Sequence, residues 1–361
     1  MKTSASTFLR DLTSGKRTST FDQIMIFFLA PLARVYSLIQ QLRASLYRVG
    51  VLKTQRLPRP VVSIGNITVG GTGKTPVTAY IASLLLDKGY KVAVLSRGYG
   101  GSLEGENVVV SDGVTIMLSA RECGDEPYLL ASTVPGLMVV IGTDRYAAGQ
   151  LALQQLSPDI FLLDDGFQHL RLWRDLNILL LDATKPFGNH WTLPAGLLRE
   201  PAAAAKRADL IILTRCPEGT TLDPQTSGTH ACVSYHRITD LLPLSGNSAV
   251  PLSTLETSKI FAFAGIADPE YFFNGLRSNG LNVIATIPFP DHVIYGETHV
   301  KTIAELFQTS GADYAITTEK DGVKLAGLPQ ELAARIMLAR LKLTIPDSGS
   351  LEVLLLNLLH K

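Results

Sequence analysis

The sequence predicts an α/β fold: a mainly parallel sheet flanked by helices, joined to a second, smaller α/β/α domain. Short apolar runs typical of buried strands, such as residues 91–95 and 160–163, alternate with helical patterns such as residues 145–156. A second series of strands and helices begins at Ile260. The chain has 361 residues, which is long enough for two domains that each have a core.

Composition restricts the class of protein. The chain has 46% hydrophobic and 18% charged residues, so it is more apolar than an average soluble protein but less so than a polytopic membrane protein. The formal net charge is +1, and this total gives no information about nucleic-acid binding. We expect no nucleic-acid partner. Cys123, Cys216 and Cys232 share neither metal-ligand nor redox spacing, which fits a reducing cytoplasm.

The N-terminal part predicts an amphipathic helix. Residues 24–32 (IMIFFLAPL) form an uncharged run that Pro31 interrupts, and it is shorter than the roughly 20 apolar residues that span a bilayer. Apolar residues then recur with helical spacing, and no Asp or Glu occurs between Gln23 and Leu86. Such a helix lies either in an anionic membrane interface or on the domain core. The missing acidic residues favour the membrane, and therefore a peripheral protein.

Residues 61–75 (VVSIGNITVGGTGKT) predict a phosphate-binding P-loop between a strand and a helix. Lys74 is expected to reach the terminal phosphates of a nucleoside triphosphate, and the Thr75 hydroxyl to bind Mg²⁺. The general P-loop spacing has glycine where this chain has Thr68. A glycine-rich turn with a chance lysine is the alternative. The predicted nucleotide-binding residues are Thr68, Gly70, Gly71, Thr72, Gly73, Lys74 and Thr75.

Two adjacent carboxylates, Asp164 and Asp165, follow the apolar strand of residues 160–163. In a P-loop protein a carboxylate at this position faces the metal of the nucleotide, so we expect one of them to hold Mg²⁺. In an extended strand they point to opposite faces, unless the turn at Gly166 changes this. The alternative is a solvated turn. Gln168 and His169 follow, and we expect them to contact nucleotide or substrate.

Asp125 and Glu126 precede an apolar helix. A phosphoryl-transfer enzyme needs a carboxylate near the acceptor hydroxyl, but this spacing alone favours a helix N-cap. His292 closes a strand and is either a proton shuttle or a loop residue with a structural role. Charged residues also collect at 319–321 after another strand, where α/β proteins often bind ligands.

The motifs GNITVGGTGKTP, LSRGYGG, GDEP, DDGFQH, LLREP, FPDH and TTEKDGVK occur in this order. In this respect the chain resembles the tetraacyldisaccharide 4′-kinases of lipid A biosynthesis, over residues 20 to 330. The resemblance implies transfer of the ATP γ-phosphate to the 4′-hydroxyl of an acylated glucosamine disaccharide 1-phosphate lipid. It also implies Mg²⁺, a location at the cytoplasmic face of the bacterial inner membrane, and the N-terminal helix as an anchor. No protein partner is implied.

The resemblance also implies roles for individual residues. Asp125 would be the base that receives the sugar hydroxyl proton, oriented by His292, and Lys74 would hold phosphates. The implied metal-side residues are Thr75, Glu126, Asp164 and Asp165. The residues implied to contact the sugar-phosphate are Arg97, Tyr99, Gln168, His169 and Arg199.

The expected domain organisation has four parts. Residues 1–50 are a membrane-associating helical segment, 51–216 a P-loop kinase domain, 217–258 a linker or irregular crossing, and 259–361 the second α/β domain. Two other function classes remain open from the residues alone: an ATPase that couples hydrolysis to a partner's assembly, and a nucleotide-gated module for membrane recruitment. Neither needs a pair formed by Asp125 and His292.

Overall fold

The computed structural model describes residues 12–13, 19–217, 219–220, 230–246, 248–325 and 328–360. The chain forms two compact units, each built from separate stretches of sequence. The first unit comprises Met1–Lys74, Pro158–Tyr235 and Ile345–Lys361, and the second comprises Thr75–Ser157 and His236–Thr344. Each unit combines stretches from different parts of the chain. The units therefore cannot be compared one to one with the four consecutive parts expected from the sequence, and that division stays a prediction.

Helix α1 (Thr20–Arg48) begins with a capping box between Ser19 and Asp22 and continues through Pro31. The helix therefore also includes the apolar run before Pro31, whereas the helical spacing in the sequence was identified only after this proline. The helix has 29 residues and is long and apolar enough, by length and composition alone, to cross a membrane. The uncharged run of residues 24–32 by itself is too short to do so.

The described part of the first unit contains five strands in the order β5, β1, β6, β7, β8, and all neighbours are parallel. The strands are β1 (Val61–Asn66), β5 (Ile160–Asp164), β6 (Leu176–Asp182), β7 (Leu210–Thr214) and β8 (His230–Val233). Their apolar runs are buried, which explains why they read as near-continuous hydrophobic segments. The last helix, α10 (Gly349–Leu359), also belongs to this unit.

The second unit begins with helix α2 (Lys74–Asp87), whose first residue closes the first unit. Its first strands lie in the order β3, β4, β2, with β3 antiparallel to β4. The elements are β2 (Val92–Ser96), β3 (Val108–Asp112), α3 (Ala120–Cys123), α4 (Asp125–Thr133), β4 (Met138–Ile141) and α5 (Arg145–Gln155).

The rest of the second unit is built on a six-stranded sheet in the order β10, β9, β14, β13, β11, β12. Its strands are β9 (Tyr235–Pro243), β10 (Val250–Pro251), β11 (Lys259–Ala264), β12 (Asn282–Pro288), β13 (Tyr314–Thr318) and β14 (Ile336–Thr344). Its helices are α6 (Pro269–Ser278), α7 (Glu297–Ser310), α8 (Glu319–Gly322) and α9 (Gln330–Ala333). The predicted α/β class, with mostly parallel strands flanked by helices, is confirmed.

The expected linker at residues 217–258 contains three strands, β8, β9 and β10. Most positions of strand β9 are only partly buried and do not alternate strictly, so neither an apolar run nor a period of two marks it in the sequence. Residues 218, 221–229 and 247 of this range lie outside the described residues.

Candidate active site

The loop between β1 and α2 has the backbone of a phosphate cradle. Gly70 and Gly73 have φ angles of +120° and +79°, in the left-handed region that favours glycine. The loop is fixed at its start, because the Val69 N–H donates to the Leu197 carbonyl at 2.8 Å and the Arg199 N–H to the Ile67 carbonyl at 2.7 Å. Its backbone N–H groups and the N-terminus of α2 are therefore available to an anion at a defined place.

Lys74 and Arg199 converge on one carboxylate of the first unit. Lys74 Nζ lies 3.6 Å from Asp165 Oδ1, and an Arg199 guanidinium nitrogen lies 2.8 Å from Asp165 Oδ2. Asp165 has a φ of +52°, outside the strand conformation. Asp164 is instead the last residue of β5, 2% exposed, and pairs in register with Ile64 of β1. The turn thus gives the two adjacent carboxylates different surroundings.

Gln168 supports the phosphate loop from the segment that follows β5. Its side-chain amide donates to the Asn66 carbonyl at 2.8 Å, and its own carbonyl accepts from Arg43 at 3.4 Å. The expected contacts of Gln168 and His169 with a sugar-phosphate stay predictions.

Sequence reasoning missed Arg215, the residue directly after β7. Its guanidinium donates to the carbonyl of Gly71 in the phosphate loop and pairs with Asp182 at 3.1 Å. Arg215 has a φ of +59°, and such strained backbone is frequent at functional sites. The available signal was an arginine at the carboxyl end of a parallel strand, where α/β proteins bind ligands.

In the second unit, Asp125 and His292 lie in contact although 167 residues separate them. His292 Nδ1 is 3.2 Å from Asp125 Oδ2, while Asp125 Oδ1 accepts the N–H of Glu126 at 2.9 Å. The helix N-cap is Gly124 and not Asp125, so the interpretation of Asp125 as a cap is wrong. The backbone bond holds one carboxylate oxygen, and the other faces the imidazole.

Two lysines of the TTEKDGVK motif also face this carboxylate. Lys320 Nζ is 3.8 Å from Asp125 Oδ2, 2.9 Å from Glu126 Oε1 and 3.6 Å from Asp291 Oδ1. Lys324 Nζ is 3.6 Å from Asp125 Oδ2 and 3.1 Å from Asp321 Oδ1. Lys324 was not among the predicted site residues, and its contact with Asp125 is long-range.

These charges set the protonation of the pair. Burial raises the pKa of Asp125, but the hydrogen bond from His292 and the positive charges of Lys320 and Lys324 bring that pKa down to about 2. The hydrogen bond to Asp125 raises the pKa of His292 above its ordinary value of 6.5, against the effect of burial. Asp125 is therefore an ionised carboxylate at neutral pH.

The raised pKa of His292 predicts a pH dependence of stability. A group with a raised pKa in the folded chain stabilises the fold fully below its unfolded pKa, and this contribution is lost as the pH rises through the folded value. We expect the difference in thermal unfolding midpoint between this chain and the His292→Gln variant to be largest below pH 6.5 and to shrink at higher pH. Unfolding scans at several pH values check this, and a difference that grows with pH contradicts it.

Asp321 anchors Lys324 and is fully buried. Its Oδ2 accepts the Gly265 N–H at 3.0 Å and the Thr318 hydroxyl at 2.8 Å. We expect Asp321→Ala to lower the free energy of unfolding by about 3–5 kcal/mol, because it leaves a buried ammonium and two donors without their partner. The control is Lys301→Ala, which removes an exposed ion pair with Glu305 and should cost less than about 1 kcal/mol. Denaturant unfolding of both variants measures the difference, and equal effects contradict this role.

Arg97 and Tyr99 belong to the same unit as Asp125 and His292, and Tyr99 contacts His292. The Tyr99 ring meets the His292 ring edge-on, with centroids 5.3 Å apart, and is 58% exposed. Arg97 pairs with Glu104 at 3.2 Å. Their expected contacts with a sugar-phosphate stay predictions.

Within the described ranges, no cluster of three or more His, Cys, Asp or Glu side chains has the arrangement of a metal site. A Mg²⁺ ion that binds together with a nucleotide commonly uses one or two carboxylates along with phosphates and water. The carboxylates of Asp164 and Asp165, at the end of β5, are oxygen donors of the kind that Mg²⁺ prefers. Glu126 is engaged by Lys320.

Comparison with known proteins identifies the family. The family model for tetraacyldisaccharide-1-P 4′-kinase, LpxK, matches residues 25–360. The tetraacyldisaccharide 4′-kinase of Pelobacter propionicus is 57% identical over 361 residues, covering 100% of both chains. That of Geobacter sulfurreducens is 54% identical over 320 residues, covering 88% of this chain and 90% of the relative.

A solved structure agrees with these relatives. The crystal structure of LpxK from Aquifex aeolicus in complex with ATP has a TM-score of 0.78 and 35% identity, covering 93% of this chain and 99% of that one. The resemblance found in the sequence is thereby confirmed, and the chain belongs to the tetraacyldisaccharide-1-P 4′-kinase family.

Proposed function

We propose that this chain transfers the γ-phosphate of ATP to the 4′-hydroxyl of a tetraacylated glucosamine disaccharide 1-phosphate lipid. A bond forms between the 4′-oxygen and the γ-phosphorus, the bond to the β,γ-bridging oxygen breaks, and ADP leaves. The hydroxyl proton passes to Asp125. The observation that carries this proposal is the 3.2 Å contact between His292 Nδ1 and Asp125 Oδ2, in a chain that also has a phosphate loop.

Asp125 acts as the base. The Glu126 N–H holds Oδ1, so Oδ2 is the oxygen that receives the proton, and His292 fixes its orientation. A carboxylate with a pKa of about 2 is a weak base in the ground state. It suffices here because phosphoryl transfer passes through a loose transition state, in which the new bond to phosphorus is only slightly formed, so the proton leaves late and needs no strong base.

The phosphate loop and its cations bind the nucleotide. Backbone N–H groups between Gly70 and Gly73 hold phosphate oxygens, and Lys74 neutralises charge on the transferred group. Asp165 contacts both Lys74 and Arg199 and keeps these two cations next to the loop. Arg215, bonded to the Gly71 carbonyl, stiffens the same loop.

The predicted Mg²⁺ ligands are Asp164 and Asp165 in the first unit and Thr75 and Glu126 in the second, and each has an oxygen of the kind that Mg²⁺ would accept as a ligand. When bound, Mg²⁺ neutralises the phosphate oxygens of ATP. The Lys320 ammonium pairs with Glu126 and also lies close to Asp125 and Asp291, so it keeps these carboxylates in place without a metal.

The proposed substrate carries four acyl chains and stays in a bilayer, so we infer that α1 binds the cytoplasmic face of the inner membrane. Nine large apolar side chains of α1 are exposed: Phe21, Ile24, Phe27, Phe28, Leu32, Val35, Leu38, Ile39 and Leu42. Burying such side chains in lipid is favourable by about 25 cal/mol per Å². The middle of the helix is tied to the rest of the first unit, because the Thr192 hydroxyl donates to the Ala33 carbonyl at 2.7 Å.

Replacing both Phe27 and Phe28 with serine is expected to weaken binding to anionic phospholipid vesicles at least about tenfold, since two aromatic side chains no longer enter the lipid. Vesicle flotation measures the bound fraction. Val114→Ser is the matched control, because Val114 is 94% exposed and lies in the second unit. Equal loss in both variants, or none in either, contradicts the role of α1.

The proposed activity is tested with purified protein in mixed micelles, Mg²⁺, γ-labelled ATP and tetraacyldisaccharide 1-phosphate. We expect label in the lipid fraction. Hydrolysis of ATP with no labelled lipid contradicts the proposal and favours an ATPase that couples to another process. ATP binding with neither activity also contradicts it and favours a nucleotide-gated module.

A further inference from the structure

Asn66 is the last residue of β1, is fully buried and makes four polar contacts at the phosphate loop. Its side-chain Nδ2 donates to Thr72 Oγ1 at 2.9 Å and to Thr68 Oγ1 at 3.3 Å. Its Oδ1 accepts from Lys74 Nζ at 3.5 Å, and its backbone carbonyl accepts from Gln168 at 2.8 Å. One side chain therefore contacts both threonines and the lysine of the loop.

The chemistry of these groups fixes the direction of the hydrogen bonds. A lysine ammonium has only donors, so the amide oxygen of Asn66 faces Lys74 and the amide NH₂ group faces the threonines. Each threonine oxygen then accepts a hydrogen bond and has its own proton left to donate. Within the described part of the chain, neither Thr68 nor Thr72 donates its hydroxyl proton to a protein acceptor.

We propose that Asn66 is a positioning residue that turns the Thr68 and Thr72 hydroxyls so that both donate to phosphate oxygens of the bound nucleotide. This inference rests on the proposed use of ATP. It also accounts for Thr68 at the place of the first glycine in the general P-loop spacing. In that form of the loop the position has no side chain, whereas here it adds a hydroxyl donor that Asn66 orients.

The substitutions Asn66→Ala, Thr72→Val and the double variant test this. Asn66→Ala removes the orienting amide, and Thr72→Val removes one hydroxyl while keeping nearly the same shape. We expect each single variant to raise the KM for ATP about tenfold to a hundredfold, with the KM for the lipid unchanged. We expect the double variant to be no worse than Asn66→Ala, because both substitutions remove one shared interaction.

Asn66→Asp separates positioning from a structural role. A carboxylate accepts hydrogen bonds, so it draws the threonine protons away from the nucleotide and places a negative charge beside the phosphates. We expect a larger loss of ATP affinity than for Asn66→Ala. Thr239→Val, at an exposed threonine of β9, is the control and should leave the KM for ATP unchanged.

Binding of a fluorescent ATP analogue, measured without lipid, keeps this inference separate from the proposed function. Weaker binding in the Asn66 variants supports the inference even if the chain transfers no phosphate. If wild-type chain transfers phosphate and Thr72→Val keeps its KM for ATP within about twofold, the inference is overturned. Additive effects in the double variant also overturn it. If Asn66→Ala does not fold, Thr68→Val and Thr72→Val carry the same test.

Discussion

Replacing Asp125 with asparagine is expected to lower kcat for phosphate transfer about 10²–10⁴-fold, with little change in the KM for ATP. Asparagine has nearly the same shape but cannot accept the hydroxyl proton at Oδ2. The contact with His292 and the two nearby lysines remains in place geometrically, so the loss measures the base itself. Initial rates with γ-labelled ATP and lipid give both constants.

Asp87→Asn, at an exposed aspartate that ends α2, is the matched control and should retain full activity. Asparagine at position 125 also removes the negative charge that His292, Lys320 and Lys324 all face, so we expect a lower unfolding midpoint. Rates are therefore compared at a temperature where both variants are folded. Unchanged kcat in Asp125→Asn removes Asp125 from the mechanism.

Replacing Lys74 with alanine is expected to lower kcat/KM about 10²–10³-fold, because the cation that neutralises the transferred phosphate is lost. Of the two cations that contact Asp165 in the description above, this variant keeps Arg199 and loses Lys74. The net charge beside the nucleotide therefore becomes more negative. We expect both a higher KM for ATP and a lower kcat. Lys342→Ala, at an exposed residue of β14, is the control.

The fraction of ATP bound and the rate of transfer are measured on the same preparation of Lys74→Ala. A variant that binds ATP normally and transfers at the wild-type rate contradicts the assignment of this loop to the nucleotide. Loss of binding with intact transfer at saturating ATP limits Lys74 to ground-state binding.

Local patterns could be predicted from the sequence, and long-range contacts could not. The strand, glycine loop and helix of residues 61–75 are contiguous, so their spacing alone indicates a phosphate cradle. The strands of the first unit are buried apolar runs, which composition identifies. Strand β9 is mostly half-buried, so its weak pattern did not mark it as a strand. The helical spacing was identified only after Pro31, whereas the helix continues on both sides of it.

The pair formed by Asp125 and His292 shows more clearly what the spacing of residues in a sequence cannot predict. From the residues alone, Asp125 read as a helix cap and His292 as a loop residue, because nothing local shows that 167 residues of chain bring them together. The resemblance to a family supplied the pairing. Lys324 and Arg215 stayed unassigned because their roles depend on contacts with Asp125 and Gly71, which only the folded chain reveals.

The position of the transferred phosphate on the lipid decides whether this chain phosphorylates the 4′-hydroxyl. The substrate already carries a phosphate at the anomeric carbon, and mild acid cleaves an anomeric phosphate while a phosphate ester of the 4′-hydroxyl survives. The labelled lipid made by this chain is treated with mild acid and its label is followed. We predict that the label stays on the lipid, and that mass spectrometry places it on the distal sugar. Release of the label as inorganic phosphate, or no labelled lipid at all, contradicts transfer to the 4′-hydroxyl.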